Sequence, residues 1–237
     1  MRIDYATVPH AKQTNADGVN RYARRVEHIL SRNADRIEGK KVLDLACATG
    51  VLSYPMLMLG ASDVTGVEAR PQTIEKGREA FAASPFEDRM TFVCADLFEY
   101  LDTCAPGDFD VIVCAGFLYH TVRQADFFRE MKRLGPETVF LDTSIAKNYW
   151  WFGLANFGRP PALFLYTENA ALARSTIDLD GVVYWPTASY IETMARNAGY
   201  EPKRVNFREQ SNGNWAAMAD YRKGLRAAWL CERTHRS

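Results

Sequence analysis

The chain has 237 residues, 47% of them apolar, with 29 Lys and Arg set against 29 Asp and Glu. Those fractions exclude a disordered, collagen-like or disulfide-scaffold protein, and zero net charge argues against a partner held mainly through a nucleic-acid backbone, although a local basic face stays open. The five cysteines (Cys47, Cys94, Cys104, Cys114 and Cys231) share no C-x-x-C spacing; with no apolar leader core in residues 1–10 and no run of about 18 apolar residues, the expectation is a reduced, cytoplasmic, non-membrane protein.

In chain order, residues 1–38 read as an N-terminal helical segment, with Tyr22, Val26, Ile29 and Leu30 at helical spacing. Lys41 to Ala46 is a short apolar run and predicts a buried strand. A helix over Leu52 to Leu59 follows, stopped by Gly60, then a strand over Asp63 to Val67 and a helix opened by Pro71 and running to Ala82. Met90 to Cys94 and Phe109 to Cys114 predict the third and fourth strands, with Cys94 and Cys114 as buried strand residues. Arg123 to Leu134 predicts a helix and Thr138 to Thr143 the fifth strand. Residues 147–186 break the pattern with many aromatics, among them Tyr149, Trp150, Trp151, Phe152, Phe157, Phe164, Tyr166, Tyr184 and Trp185. A helix over Ser189 to Ala198 and closing strands over Pro202 to Phe207 and Gly224 to Glu232 complete the chain. Strands alternating with helices predict an α/β, doubly wound, Rossmann-like fold with a seven-stranded, mostly parallel sheet. One domain over 1–237, with the aromatic segment as a built-in cap, is the economical organisation.

The most informative stretch runs from Val42 to Gly50 (VLDLACATG), where a strand enters a tight turn of small residues and then a helix. That geometry presents backbone N–H groups to a ligand at the carboxyl edge of a sheet. Small residues fall at Ala46, Ala48 and Gly50, whereas a dinucleotide fingerprint needs a glycine where Val51 stands. The spacing favours an adenosyl sulfonium over a dinucleotide. Glu68 ends the second strand, placed to accept both ribose hydroxyls. Asp96 follows the third strand, where an acid accepts from an adenine amino group while Leu97 flanks the ring. Each has a plainer alternative: Asp44 capping the turn, Glu68 solvated, Asp96 capping a helix. Their occurrence in order at three strand ends favours the ligand. On these residues, over about Lys41 to Thr143, the chain resembles the class I S-adenosylmethionine-dependent methyltransferases. The resemblance implies that Asp44 and Gly50 border the methionine part of S-adenosylmethionine, Glu68 the ribose and Asp96 the adenine. Ala46, Ala48, Ala69, Leu97 and Cys114 complete the expected cofactor set. The chain departs from the family at Ala46 and Ala48, where glycine is usual.

After the fourth strand comes Cys114-Ala-Gly-Phe-Leu-Tyr119-His120, the loop that faces the transferred group in this fold. The signatures of amine-methylating and cytosine-C5 enzymes are absent from it. His120 is the candidate general base for a hydroxyl, since imidazole titrates in the needed range; its plainer alternative is a loop histidine in a structural hydrogen bond. Tyr119 is the second catalytic candidate or lines the cofactor pocket. His10, His28 and His235 rank lower. Asp142 alone does not make a metal site, so no metal is expected. The aromatic segment leaves the fifth strand over the same edge, as a cap holding an acceptor or as ordinary packing.

Gly116 to His120 and Tyr184 to Tyr200 also resemble the equivalent segments of the bacterial tRNA wobble-uridine carboxymethyltransferases, which use a carboxylated S-adenosylmethionine. From Glu201 onward the chain is locally basic, with eight Lys and Arg (Lys203, Arg204, Arg208, Arg222, Lys223, Arg226, Arg233, Arg236) against four acids. The leading expectation is O-methylation of a small-molecule acceptor. tRNA modification is the second, and a non-catalytic cofactor-binding partner subunit, suggested by the two loop alanines, the third.

Overall fold

A computed structural model describes residues 16–82, 84–146, 160–168, 181–208 and 215–234. The first helix, α1 (Ala16–Arg25), passes into a π-helical turn over Val26–Leu30. Then come β1 (Lys41–Leu45), α2 (Ser53–Met58), β2 (Asp63–Glu68), α3 (Pro71–Phe81), β3 (Met90–Cys94), α4 (Leu97–Thr103), β4 (Val111–Ala115), α5 (Gln124–Leu134) and β5 (Thr138–Ser144). The strands β6 (Leu163–Thr167) and β7 (Val182–Pro186) precede α6 (Ala188–Asn197), β8 (Tyr200–Arg204), α7 (Ala219–Arg222) and β9 (Arg226–Arg233).

Seven strands form one sheet in the order β3-β2-β1-β4-β5-β9-β8, parallel from β3 to β5 and antiparallel at both pairings of β9. Order reverses at β1, the place where doubly wound sheets open a crevice outside their strand ends. Alternate residues of each strand face opposite sides. Leu43, Leu45, Ile112 and Leu141 pack with Leu101, Phe127, Met131 and Ile191 of α4, α5 and α6 on one face. Val42, Val64, Val113 and Phe140 pack with Ile29, Leu30, Met56 and Phe81 on the other. Both faces are covered, which is why these strands read as continuous apolar runs.

Three expectations need correcting. Cys94 is exposed rather than buried, because β3 is the sheet's edge strand. A helix, α4, lies between β3 and β4 where no helix was expected; at seven residues its apolar spacing is too short to stand out, and its only strong signal is the Asp96 cap. The helix expected over Tyr22 to Leu30 starts earlier and changes to a π turn at Val26.

Of the segment 147–186, the described part forms a separate antiparallel pair, β6 against β7. It docks on the loop after β4: the Tyr184 amide donates to the Thr121 carbonyl at 3.2 Å, and the Gln124 amide donates to the Tyr184 carbonyl at 2.7 Å. Tyr149, Trp150, Trp151, Phe152, Phe157, His10, His235 and Arg236 lie outside the described residues.

Candidate active site

The loop after β1 folds tightly because its backbone turns left-handed at alternate residues: φ is 54° at Ala46, 53° at Ala48 and 79° at Gly50. Glycine is strictly required only at Gly50, where a Cβ would lie 2.8 Å from a Phe81 ring carbon. The two alanines hold a conformation that costs a side-chain-bearing residue about 1–2 kcal/mol. Asp44, at the carboxyl end of β1, is 2% exposed and accepts from the Ser53 hydroxyl at 2.7 Å. Burial pushes its carboxyl up to about 7, against the opposing pull of Ser53 and Arg25.

Glu68, at the end of β2, is buried and its carboxylate accepts from three directions. The Ala48 amide reaches Oε2 at 3.2 Å, the Arg70 amide reaches Oε1 at 3.1 Å, and the Arg70 guanidinium reaches Oε1 at 2.7 Å and Oε2 at 3.1 Å. The loop, the first two strand ends and the loop after β4 enclose a cavity of about 270 Å³. Asp44, Ala46, Ala48, Glu68 and His120 line it together, which joins residues from 44 to 120 at one sheet edge.

The other expected residues stand around this cavity rather than on its described wall. Gly50 packs behind it against Phe81 and Phe92. Ala69 sits beside Arg70, and its carbonyl meets the Cys94 thiol at 3.9 Å. Asp96 caps α4, its Oδ1 accepting from the amides of Phe98 at 2.8 Å and Glu99 at 3.1 Å. Leu97 is buried in the core at the start of that helix. Cys114 is a correction: its side chain is fully buried in the core, and Ala115, Gly116 and Phe117 form the wall at that strand end instead. Strand alternation turns Cys114 inward with Leu45 and Leu141, its neighbours in register.

On the opposite side, a single turn of 3-10 helix over Leu118–His120 presents Tyr119 and His120 with ring centroids 3.9 Å apart. His120 Nδ1 lies 2.8 Å and 3.0 Å from the two carboxylate oxygens of Glu168, just beyond β6. Its Nε2 has no hydrogen-bond partner among the described residues. A carboxylate on Nδ1 fixes the tautomer with Nε2 free to accept a proton, and it stabilises the imidazolium that results. The Tyr119 hydroxyl accepts from Arg226 at 3.4 Å.

Behind the cavity, Asp142 is fully buried with Arg25 at 2.8 Å, Arg226 at 2.6 Å and the Tyr221 hydroxyl at 2.5 Å. Burial alone would raise its carboxyl, but the two guanidiniums and the phenol outweigh that and bring it down to about 2. Both Asp142 oxygens are thus engaged, and among the described residues no three His, Cys, Asp or Glu side chains cluster as a metal site. Arg25 also lines the 270 Å³ cavity, and its Nη2 is buried without a hydrogen-bond partner among the described residues. An unpaired guanidinium nitrogen at that depth is costly unless an anion meets it.

Comparison with known proteins points to methyltransferases. A model described as a methyltransferase domain matches residues 42–135. The ubiquinone biosynthesis O-methyltransferase of Schizosaccharomyces pombe is 31% identical over 118 residues, 49% of this chain and 42% of that protein. The enzyme of the same name from Bordetella pertussis is 28% identical over 188 residues, 73% of this chain and 67% of its own. The chain thus spans less than half of the fission yeast relative. The N-terminal domain of EvdMO1, solved with S-adenosylhomocysteine bound, shares the fold with a TM-score of 0.62 at 16% identity, covering 95% of this chain and 84% of its own.

Residues 42–135 thus match a methyltransferase domain, and the chain shares its fold with solved S-adenosylmethionine-dependent methyltransferases. Sequence reasoning missed three residues of the candidate site: Arg25, Arg70 and Glu168. Arg25 and Arg70 carry a weak signal, being cations next to the expected elements. Glu168 carries none, since only the docking of β6 and β7 brings it to a histidine 48 positions earlier.

Proposed function

We propose that this methyltransferase methylates a hydroxyl of a small-molecule acceptor, with His120 as general base and Glu168 holding it. The observation that carries the reading is the His120–Glu168 pair at 2.8 Å, with His120 on the wall of the 270 Å³ cavity. The named relatives, two ubiquinone biosynthesis O-methyltransferases and a magnesium-protoporphyrin O-methyltransferase of Rhodobacter capsulatus 28% identical over 132 residues, support oxygen as the accepting atom.

The residues fit the cofactor. The unpaired Nη2 of Arg25 suits the cofactor's carboxylate, and buried Asp44 suits its amino group. Glu68 suits the ribose hydroxyls once Arg70 releases it, and Asp96 keeps Oδ2 available for adenine while Oδ1 caps α4. Ala46, Ala48 and Gly50 shape the turn, Ala69 and Leu97 flank the adenosine side, and Tyr119 stands with His120 toward the acceptor. When bound, S-adenosylmethionine supplies an electrophilic methyl group on a sulfonium. His120 takes the hydroxyl proton on Nε2 as the oxygen attacks, and Glu168 balances the imidazolium charge. Positioning by the cavity wall supplies most of the acceleration.

The reading treats residues 1–237 as one domain, with 147–186 as a cap over the acceptor, because the described part of that segment provides Glu168 and docks beside His120. A cytoplasmic setting agrees with the free thiols of the cysteines, and no helix among the described residues is long and apolar enough to cross a membrane. A base pair built beside the cavity argues against a non-catalytic partner subunit. Zero net charge argues against tRNA.

The test is methyl transfer from isotopically labelled S-adenosylmethionine to a panel of phenols and catechols, with products identified by mass spectrometry. O-methyl products are expected, and His120→Ala should lower turnover by about 10²–10⁴-fold with S-adenosylhomocysteine affinity nearly unchanged. N- or C-methyl products, or a His120→Ala enzyme as fast as the parent, would sink the hydroxyl mechanism.

A further inference from the structure

Two stretches of chain some distance apart in sequence place their cations around one cavity. A pocket of about 520 Å³, nearly twice the 270 Å³ of the cofactor cavity, opens where β5 and β8 end and β9 begins. Because β9 runs antiparallel to both neighbours, those three termini lie on the same edge of the sheet as the cofactor loop. Strands are spaced about 4.8 Å apart, so the two cavities are near neighbours along that edge.

The rim is cationic. Arg204 and Arg208 come from β8 and the turn after it, Arg222 and Lys223 from the end of α7, and Arg226 from β9. No Asp or Glu is among the described lining residues. Arg226 is neutralised by Asp142 at 2.6 Å. The other four have no carboxylate partner among the described residues, and Asp220, on the same helix as Arg222, is held instead by both forks of Arg21 at 2.8 and 2.7 Å. Four cations without a carboxylate partner among the described residues are a marked asymmetry on one pocket in a chain of zero net charge. The inner wall is aromatic: Phe207 and Tyr221 are buried with ring centroids 4.3 Å apart, and Trp215 joins them. One side chain of its wall faces the reaction side: Arg226 donates to the Tyr119 hydroxyl at 3.4 Å, and the tilted Tyr119 ring lies against His120.

From this arrangement we infer that the methyl acceptor is an anion, a ring-bearing molecule whose carboxylate or phosphate is held by the Arg204, Arg208, Arg222 and Lys223 rim. The inference rests on the methyltransferase reading above and adds the chemical class of the acceptor. Guanidinium forks match carboxylate and phosphate oxygens, the ring faces match an apolar body, and the pocket volume lies within the range of small-molecule sites.

The experiment is calorimetric titration of the full-length protein, with and without S-adenosylhomocysteine, using 3,4-dihydroxybenzoate, its methyl ester and 3,4-dihydroxyphenylphosphonate. At least one of the two anions should bind about tenfold more tightly than the ester, and the better of them names the acidic group. Arg222→Gln/Lys223→Gln and, separately, Arg204→Gln/Arg208→Gln should each weaken that anion by about tenfold. Neither pair should change S-adenosylhomocysteine affinity or the circular dichroism spectrum, and the control Arg129→Gln/Lys132→Gln on α5 should leave anion binding intact. Ester and anions binding alike, no probe binding, both rim variants binding as the parent does, or bulk tRNA binding through the rim more tightly than either anion would each overturn it. Failure of S-adenosylhomocysteine to bind would strike the methyltransferase reading instead, and the anion titration without it still decides the pocket.

Discussion

Asp44 keeps a proton near neutrality because its carboxyl is buried beside the cofactor loop, with only Ser53 and Arg25 favouring the charged form. A carboxyl raised from its ordinary value to about 7 favours the fold below the unfolded pKa of about 4, and that contribution is lost as pH rises through about 7. An arriving ammonium group should ionise it. S-adenosylhomocysteine affinity should therefore fall as pH drops from 8 to 6, with net proton release measured by calorimetry in buffers of different ionisation enthalpy; Asp44→Asn should abolish both. Glu168→Gln keeps the size of the side chain and removes its charge. It should lower turnover by about tenfold or more and shift the acid limb of the pH–rate profile, whereas a purely structural Glu168 would leave the profile in place. Glu68→Ala should weaken S-adenosylhomocysteine by about 1.5–3 kcal/mol, the scale of a lost charge-assisted hydrogen bond, and calorimetry at unchanged affinity would remove it from the site.

At the scale of elements, Asp142 of β5 ties together the end of α1 through Arg25, α7 through Tyr221 and β9 through Arg226. Its carboxyl is held down at about 2, so it contributes stability above about pH 4 that disappears as pH falls toward 2, the opposite sense to Asp44. Asp142→Asn leaves two guanidiniums without their counter-charge and should cost about 3–5 kcal/mol in denaturant unfolding. The cofactor loop offers the reverse experiment. Ala48→Gly relieves a left-handed alanine at some cost in unfolded-state entropy, so it should stabilise by about 0.5 kcal/mol and raise Tm by about 1–2 °C. Gly50→Ala should destabilise, since its Cβ meets Phe81. The loop was legible because its small-residue spacing encodes backbone geometry directly. The α4 helix was not, because its seven residues make too short a period, and Cys94 was misplaced because an apolar run does not say which strand lies at the edge.

For the molecule as a whole, net charge and its distribution make different statements. Zero net charge fits weak, non-specific RNA binding, so bulk tRNA should give no gel shift at physiological salt; a salt-dependent shift that weakens when Arg222, Lys223 and Arg226 are replaced would show otherwise. The alternation of strands and helices was enough to establish the fold class, and the turn from Val42 to Gly50 with the acids at three successive strand ends pointed to the cofactor proposed above. Those features are local: each is written in a stretch of a dozen residues whose backbone geometry depends little on the rest of the chain. What joins distant stretches was decided only by tertiary structure. Glu168 reaches His120 because β6 and β7 dock on the loop after β4. Arg25 reaches the 270 Å³ cavity because Asp142, 117 positions later, holds its guanidinium. The basic residues after Glu201 become the rim of one pocket because β8 and β9 pair beside β5. A sequence records which charges a chain carries, but their distances and their exposure to water, which set their energies, exist only after the chain has closed on itself.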